Sequence, residues 1–411
     1  MKHGESNVNR ILFLVLATVG FVALAGYFAM SGNNVAQAAV DSQTQAVVTA
    51  TNAFLNTLTA DQRQKVQFPF SPQKTASAAK FSRSGPAGRP GGTPPPQSPQ
   101  GRDHGGPLGQ GPGGGPGRGP PGGFVGEKYG DAVWSNYPVS DVPRPGLQIG
   151  SLSAGQRAAA MHLLQVLLSP GGYEKVLEIM GSDQALADSG TPFASGSAVY
   201  TIGIFGNPGA TSPWMLQFGG HHLGLNIVMA GEHGVGTPTL TGAQPAVYTA
   251  GGKTVRVLAA ENDKAFALLD ALDDSQRKQA TLNYRVGDLV LGPGQTGKVI
   301  QPEGLKASAM NNKQRALLLD VISQWAGIVN DAYAAPRLAE IKAGLEDTYF
   351  AWSGPATHEP GKNGSSYYRI QGPKLVIEFS PQGVGGDPTM HIHTMYRDPT
   401  NDYGVRFTLP Q

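Results

Sequence analysis

Cysteine is absent from all 411 residues, which removes both a disulfide framework and a thiolate metal site. Any metal must then be held by His, Asp or Glu. A phosphate loop is lacking as well: "GPGQTG" at 292 and "GNPG" at 206 have no following Lys-Ser/Thr. No G-x-S-x-G elbow occurs, so serine-hydrolase chemistry is disfavoured. Charge is sparse, 15% of residues with a formal net of +2, and no specific nucleic-acid partner is expected.

What the chain has in quantity is glycine and proline, 57 and 32 residues, and they are unevenly spread. Residues 85–123 contain 27 of them in 39 positions, with no aromatic residue, so no core can form there. No strict three-residue glycine period exists, which excludes a collagen helix. From 73 to 123, Lys74, Lys80, Arg83, Arg89, Arg102 and Arg118 face one acid, Asp103. This basic stretch reads as a solvated spacer, or as a contact to an acidic surface or polymer. At the start, Lys2 and Arg10 flank a polar region, followed by the apolar run "ILFLVLATVGFVALAGYFA" and the small-x-small pattern Ala36-Gln37-Ala38. The expectation is a signal peptide or N-terminal membrane anchor over 1–38 and an extracytoplasmic protein. A membrane is a partner only if that segment is retained. Residues 39–72 then form an N-terminal helical part, 73–125 a disordered insert, and 126–411 the main globular domain.

Four phrases mark helix starts: "LTADQR" at 58, "LSAGQR" at 152, "LDDSQR" at 272 and "MNNKQR" at 310. Each places Thr, Ser, Asp or Asn three residues before Gln, the spacing of a capping box. Their intervals of 94, 120 and 38 residues exclude a solenoid repeat. After Asn311, Leu318, Val321, Ile322, Trp325 and Val329 form a helical stripe, and a second helix is expected from about Pro336. Strand-like runs include "AVYTIGIF", "WMLQF", "HHLGLNIVM", "YYRIQ", "KLVIEFS" and "MHIHTMYR", with a hairpin turn at Gly372-Pro373. Helices and strands fall in separate runs. The expected class is α+β, an antiparallel or mixed sheet packed with several helices in one domain.

Several of these phrases resemble a known family: "LLSPGGYEKVLEIMGSDQ", "FGGHHLGLN", "YFAWSGP", "YYRIQGP", "IEFSPQ" and "HIHTMYRDPTNDYG". The chain is similar, from about Phe54 to the C-terminus but not in the Gly/Pro insert, to domain-of-unknown-function family 3500. The resemblance implies an extracytoplasmic protein with a single globular domain. It implies no reaction.

Chemistry must come from the residues, and the histidines carry it. His391 and His393 are two apart, so a strand points both imidazoles to one face. His221 and His222 are adjacent and diverge on a regular strand, unless Gly219-Gly220 seat a bulge; His222 is favoured because His221 shares its alternation with Leu223 and Leu225. Three imidazoles and an open position make a catalytic zinc or a copper site. Glu378 leaves the apolar face of the preceding strand and is the candidate fourth ligand or general base. Arg369 and Arg397 are candidates to hold a substrate carboxylate, or to pair with Asp398. The function expected is an exported metal-dependent hydrolase of a small extracellular substrate. The alternatives are a copper oxidoreductase at the same site and a non-catalytic surface module in which the histidines are structural.

Overall fold

The computed structural model describes residues 39–82 and 123–410. The apolar segment, the Ala36-Gln37-Ala38 pattern and the Gly/Pro-rich stretch from 83 to 122 lie outside the described residues. Among the described residues no helix is long and apolar enough to cross a membrane. The stretch expected to be a disordered insert, 73–125, holds regular structure near its ends, because Ser77–Phe81 is a strand paired with Phe124–Tyr129. Alternation in "SAAKF" is too weak to announce a strand; its partner "FVGEKY" supplies the order.

All four capping phrases start helices. The helices used below are α1 (39–56), α2 (Ala60–Val66), α3 (Ala154–Leu167), α4 (Pro170–Asp188), α5 (Ala259–Asp270), α6 (Asp274–Ala280), α7 (Asn312–Ala326) and α8 (Asp331–Ala343). Thr59, Ser153, Asp273 and Asn311 each accept from the backbone of the Gln three residues on, and that Gln side chain accepts from the cap backbone. Two otherwise orphaned N–H groups are thereby satisfied at each end. The stripe on α7 is buried as Leu318, Val321, Ile322 and Trp325, and the helix stops at Ala326, before Val329. The second helix begins at Asp331, five residues before the Pro336 expected to open it, because Asn330 caps it. Pro336 sits in its interior.

The main sheet is mixed. In chain order the strands along its path are β1 (Gln67–Phe68), β2 (Thr201–Phe205), β3 (Trp214–Gly220), β4 (Leu223–Ala230), β5 (Thr239–Ala243), β6 (Leu305–Lys306), β7 (Tyr349–Ser353), β8 (Tyr367–Gly372), β9 (Leu375–Pro381) and β10 (Ile392–Arg397); off the path, Leu147–Gln148 pairs β2 and His233–Val235 pairs β4. They lie in the order β1-β2-β3-β4-β5-β10-β9-β8-β7-β6. β1 pairs β2 in parallel, and the other neighbours on this path run antiparallel. The expected hairpin is β8–β9, with Gly372 opposite Leu375.

This order contains one arrangement twice. The parallel pairing of Gln67 with Ile204, just after α2, is matched by a parallel bridge of Thr281 to Trp352, just after α6. Leu147 opposite Ile202, ahead of α3, is matched by Leu305 opposite Phe350, ahead of α7. The β3–β4 hairpin, Gly220 opposite Leu223, is matched by β8–β9 with Gly372 opposite Leu375. Even the caps correspond: Gln156 donates to the Thr57 carbonyl and to Gln62, Gln314 to the Ala271 carbonyl and to Gln276. The four similar phrases are two pairs, one pair per half. The equivalent strands β5 and β10 lie antiparallel at the centre, so an approximate two-fold relates the halves across that seam.

Both sheet faces are covered. Ile202, Phe218, Leu225, Ile377 and Phe379 share one core with Leu163, Leu164, Leu318, Ile322 and Trp325 of the helices. At about 1.5–3 kcal/mol for each large side chain buried, that layer is the main source of stability. The core also takes Val47, Phe54 and Val66, which ties α1 and α2 to the same domain. On the other face lie the small sheet Ser77–Phe81, Phe124–Tyr129, Ala132–Trp134 and a strap of chain from 283 to 300. The strap is held by one acid from each sheet: Glu378 of the main sheet accepts from the Val290 and Leu291 N–H groups, and Glu127 of the small sheet from Gly294.

Candidate metal centre

His221 and His222 form the turn between β3 and β4. His222 adopts φ 60°, a left-handed backbone that costs a residue with a Cβ about 1–3 kcal/mol. A regular strand would send these rings to opposite faces. The turn instead stacks them, with centroids 3.8 Å apart. Gly242 of β5 makes room beneath: a Cβ there would stand 3.2 Å from the His222 Cβ and 2.6 Å from the Ile392 carbonyl oxygen.

His391 lies one residue before β10 and His393 within it, on the face opposite Ile392, which enters the helical core. The alternation expected for them holds. His222 Nε2 is 3.0 Å from His391 Nε2, which is 3.1 Å from His393 Nε2. The three residues each offer one nitrogen within 4.8 Å of the others. Bonds of about 2.0–2.1 Å to one ion place imidazole nitrogens roughly 3–4 Å apart, so this group can hold a metal. All three are buried.

Outer contacts aim the rings. His391 Nδ1 donates to the Val384 carbonyl at 3.0 Å, which leaves the Nε2 lone pair pointing inward. His393 Nδ1 lies 3.1 Å from Asp288 Oδ1, the carboxylate–histidine contact that usually supports a metal ligand. Asn136 accepts from the His222 backbone N–H. Burial, with the neighbouring histidines adding to it, pushes His222 far below the usual imidazole range, and burial takes His391 down to about 3. Both are neutral, the form that ligates. At half-exposed Asp288 burial pushes the carboxyl upward, but contacts led by His393 outweigh it and hold it below its ordinary value.

His221 is not one of the three. Its Nδ1 is 2.7 Å from Asp183 Oδ1 of α4, and its ring backs His222 as a wall. It was a candidate ligand by sequence, and the backbone reversal at His222 separates their roles.

Glu378 departs from its expected place. It shares the histidine face of the sheet, but it lies opposite Met395 while Ser380 lies opposite His393. Residues two apart along a strand are separated by about 7 Å. Its oxygens are taken by the Val290 and Leu291 N–H groups and by the Tyr367 hydroxyl at 2.6 Å. Burial raises its pKa. Arg369 is paired with Glu303 at 2.8 Å. Arg397 is buried and donates to the Leu291 and Gly292 carbonyls, Thr296, Glu127 and Asp402. Neither guanidinium pairs with Asp398, which meets Arg337 at 2.9 Å. Alternation explains Arg397, since Asp398 leaves the opposite side of the strand.

Sequence reasoning missed Asp288, Asp183 and the Val384 carbonyl. Asp288 sits in an irregular strap and Val384 in a glycine-rich loop, where no periodicity signals them; Asp183 looks like one more polar residue on a helix.

No curated protein and no solved structure matches the chain. A family model described as "Protein of unknown function (DUF3500)" matches residues 127–405, starting later than the likeness read from about Phe54. It spans both halves of the sheet, the strap with Asp288 and all three converging histidines, and over that length the chain belongs to this family of unknown function.

Proposed function

We propose that this protein is an exported metal-dependent hydrolase with its ion on His222, His391 and His393. The observation that carries the reading is the convergence of three buried Nε2 atoms. Two of the rings are fixed from behind by the Val384 carbonyl and Asp288. Three imidazoles leave one position of a tetrahedral site for solvent or substrate. A zinc ion held by these residues would supply Lewis acidity, acidifying a water to a pKa of about 7 and polarising a carbonyl. In this reading Asp288 orients His393 and the Asp183–His221 pair backs His222. Glu378 anchors the strap that carries Asp288, in place of the proton-accepting role suggested by its alternation.

Metal analysis of purified protein tests it, with about one equivalent of zinc expected and loss in His391→Gln. Hydrolysis of a p-nitrophenyl ester should follow the metal, disappearing on chelation and returning with zinc. Well under one equivalent of any transition metal would sink the proposal. Mass determination of the mature N-terminus checks export, with cleavage after Ala38 expected.

The imidazole-only ligand group supports a second reading, a copper oxidoreductase. Electron paramagnetic resonance of the air-oxidised protein separates the two, since Cu(II) gives a signal and zinc none.

A further inference from the structure

The approximate two-fold carries the metal centre onto a second place in the sheet, where the same kinds of element build something else. Lys374 holds in the β8–β9 turn the position of His222 in the β3–β4 turn, each directly before the residue that opens the next strand. Lys374 meets Glu340 of α8 at 2.7 Å, as His221 meets Asp183 of α4 at 2.7 Å. Val235 pairs with Val228 as His393 pairs with Ser380, so an apolar side chain replaces a ligand. The lining of this counterpart still includes His233, Glu232, Glu340 and Asp398, but among the described residues these do not converge as a metal-holding group.

It has kept a hollow. A cavity of about 330 Å³ opens there, walled by Trp325, Val329, Tyr333 and Phe407, with Thr237 and Asp398 on its lining. That volume is at the lower end of small-molecule sites. Gly234 and Gly236 help shape it: a Cβ on Gly234 would stand 2.6 Å from the Tyr333 ring, one on Gly236 2.9 Å from Val329. Two buried polar atoms at this lining lack a hydrogen bond, Thr237 Oγ1 and Asp398 Oδ2. Asp398 Oδ2 is nonetheless ion-paired, 2.9 Å from Arg337 and 4.0 Å from Arg406, which leaves Thr237 Oγ1 as the unpartnered atom. A buried hydroxyl is seldom left so, and such an orphan costs about 1–3 kcal/mol.

We propose that this cavity is a second ligand site, for a small neutral molecule with an aromatic or apolar body and one hydroxyl group. The aromatic walls take the body. The hydroxyl exchanges a hydrogen bond with Thr237 Oγ1, supplying what the protein leaves unmade. Glu232, Glu340 and Asp398 against Arg337 and Arg406 give the lining more carboxylates than guanidiniums, which disfavours an anion. Arg337 and Arg406 already engage Glu340, so the site is not built to capture a cation by its acids.

The probe is 2-phenylethanol, with phenylacetate and 2-phenylethylamine as charged controls, added to the full chain and followed by ligand-observed NMR. Saturable binding of the alcohol is expected, with each control at least about tenfold weaker. Ala332→Trp, which fills the cavity from the first turn of α8, should abolish it. Thr237→Val keeps the shape and removes the hydroxyl, and should weaken binding about three- to tenfold. Thermal unfolding of both variants verifies that they fold. Should Ala332→Trp not fold, Thr237→Val and the control ligands still decide. Absence of saturable alcohol binding would overturn the site, as would binding unchanged in a folded Ala332→Trp protein. An unchanged affinity in Thr237→Val, or phenylacetate binding as tightly, would overturn the recognition of a neutral hydroxyl.

Discussion

His222 shows how much one backbone angle can carry. Its left-handed conformation turns two adjacent histidines to one side, placing one ring in the group that could hold a metal and the other behind it as a packed wall. Sequence alternation located the His391–His393 face and favoured His222 over His221, because both arguments use direction alone. It failed at Glu378 for the same reason. Alternation tells which face a carboxylate leaves, and says nothing of its reach along the strand or of the amides waiting for it. Asp288 was illegible because its position depends on how the strap crosses the sheet. Its role is open to measurement. Asp288→Asn should lower metal affinity about tenfold to a hundredfold, read by competition with a chromophoric chelator. Asp183→Asn, acting through the wall behind His222, should have a smaller effect. An Asp288→Asn protein with unchanged affinity would show that the carboxylate does not support the ligand.

Among the elements, the capped helices were the most legible part of the fold, since a capping box is a local contract between residues three apart. What local sequence could not convey is that the caps meet. Gln62 and Gln156 bond each other, and so do Gln276 and Gln314, so each pair of helix starts is one joint. Gln314→Ala removes the cap bond from the Asn311 N–H to the Gln314 side chain and the link to the Ala271 carbonyl together, and should cost about 1–2 kcal/mol in urea unfolding. Helix α8 is fastened differently, by charge. Glu340 takes Arg337, Lys374 and Arg406; burial works against its charged form, but those partners prevail and hold its carboxyl at about 2. A carboxyl depressed on folding contributes stability above its unfolded pKa of about 4.5 and loses it as pH falls toward 2. Glu340→Gln should therefore lower stability by about 1–2 kcal/mol at pH 7, discounted for partial exposure, and by almost nothing near pH 2. A difference that does not shrink on acidification would contradict the ion cluster as its source.

At the scale of the molecule, the α+β class followed from segregated runs of helix and strand, but the duplication did not. Equivalent residues have diverged in kind, Gln217 and Asn226 standing where Arg369 and Glu378 stand in the other hairpin. The small sheet and the 83–122 stretch also fall between α2 and α3, with no matching length between α6 and α7, so a fixed period never appears in the sequence.

The seam between β5 and β10 is where the halves meet within the sheet, and the histidines stand at one end of it: His222 comes from one half, His391 and His393 from the other. An ion there would be a rivet through both leaves of a hinge. At a thousand times its dissociation constant, a ligand bound only by the folded state adds about 4 kcal/mol. Here that gain would fall on the opening that parts one half from the other. Hydrogen exchange should register it locally. Chelation is expected to speed exchange of amides in 239–243 and 392–397 more than in the outer hairpin strands 214–220 and 367–372. A uniform change across the sheet would mean that the halves open together and the rivet holds nothing in particular.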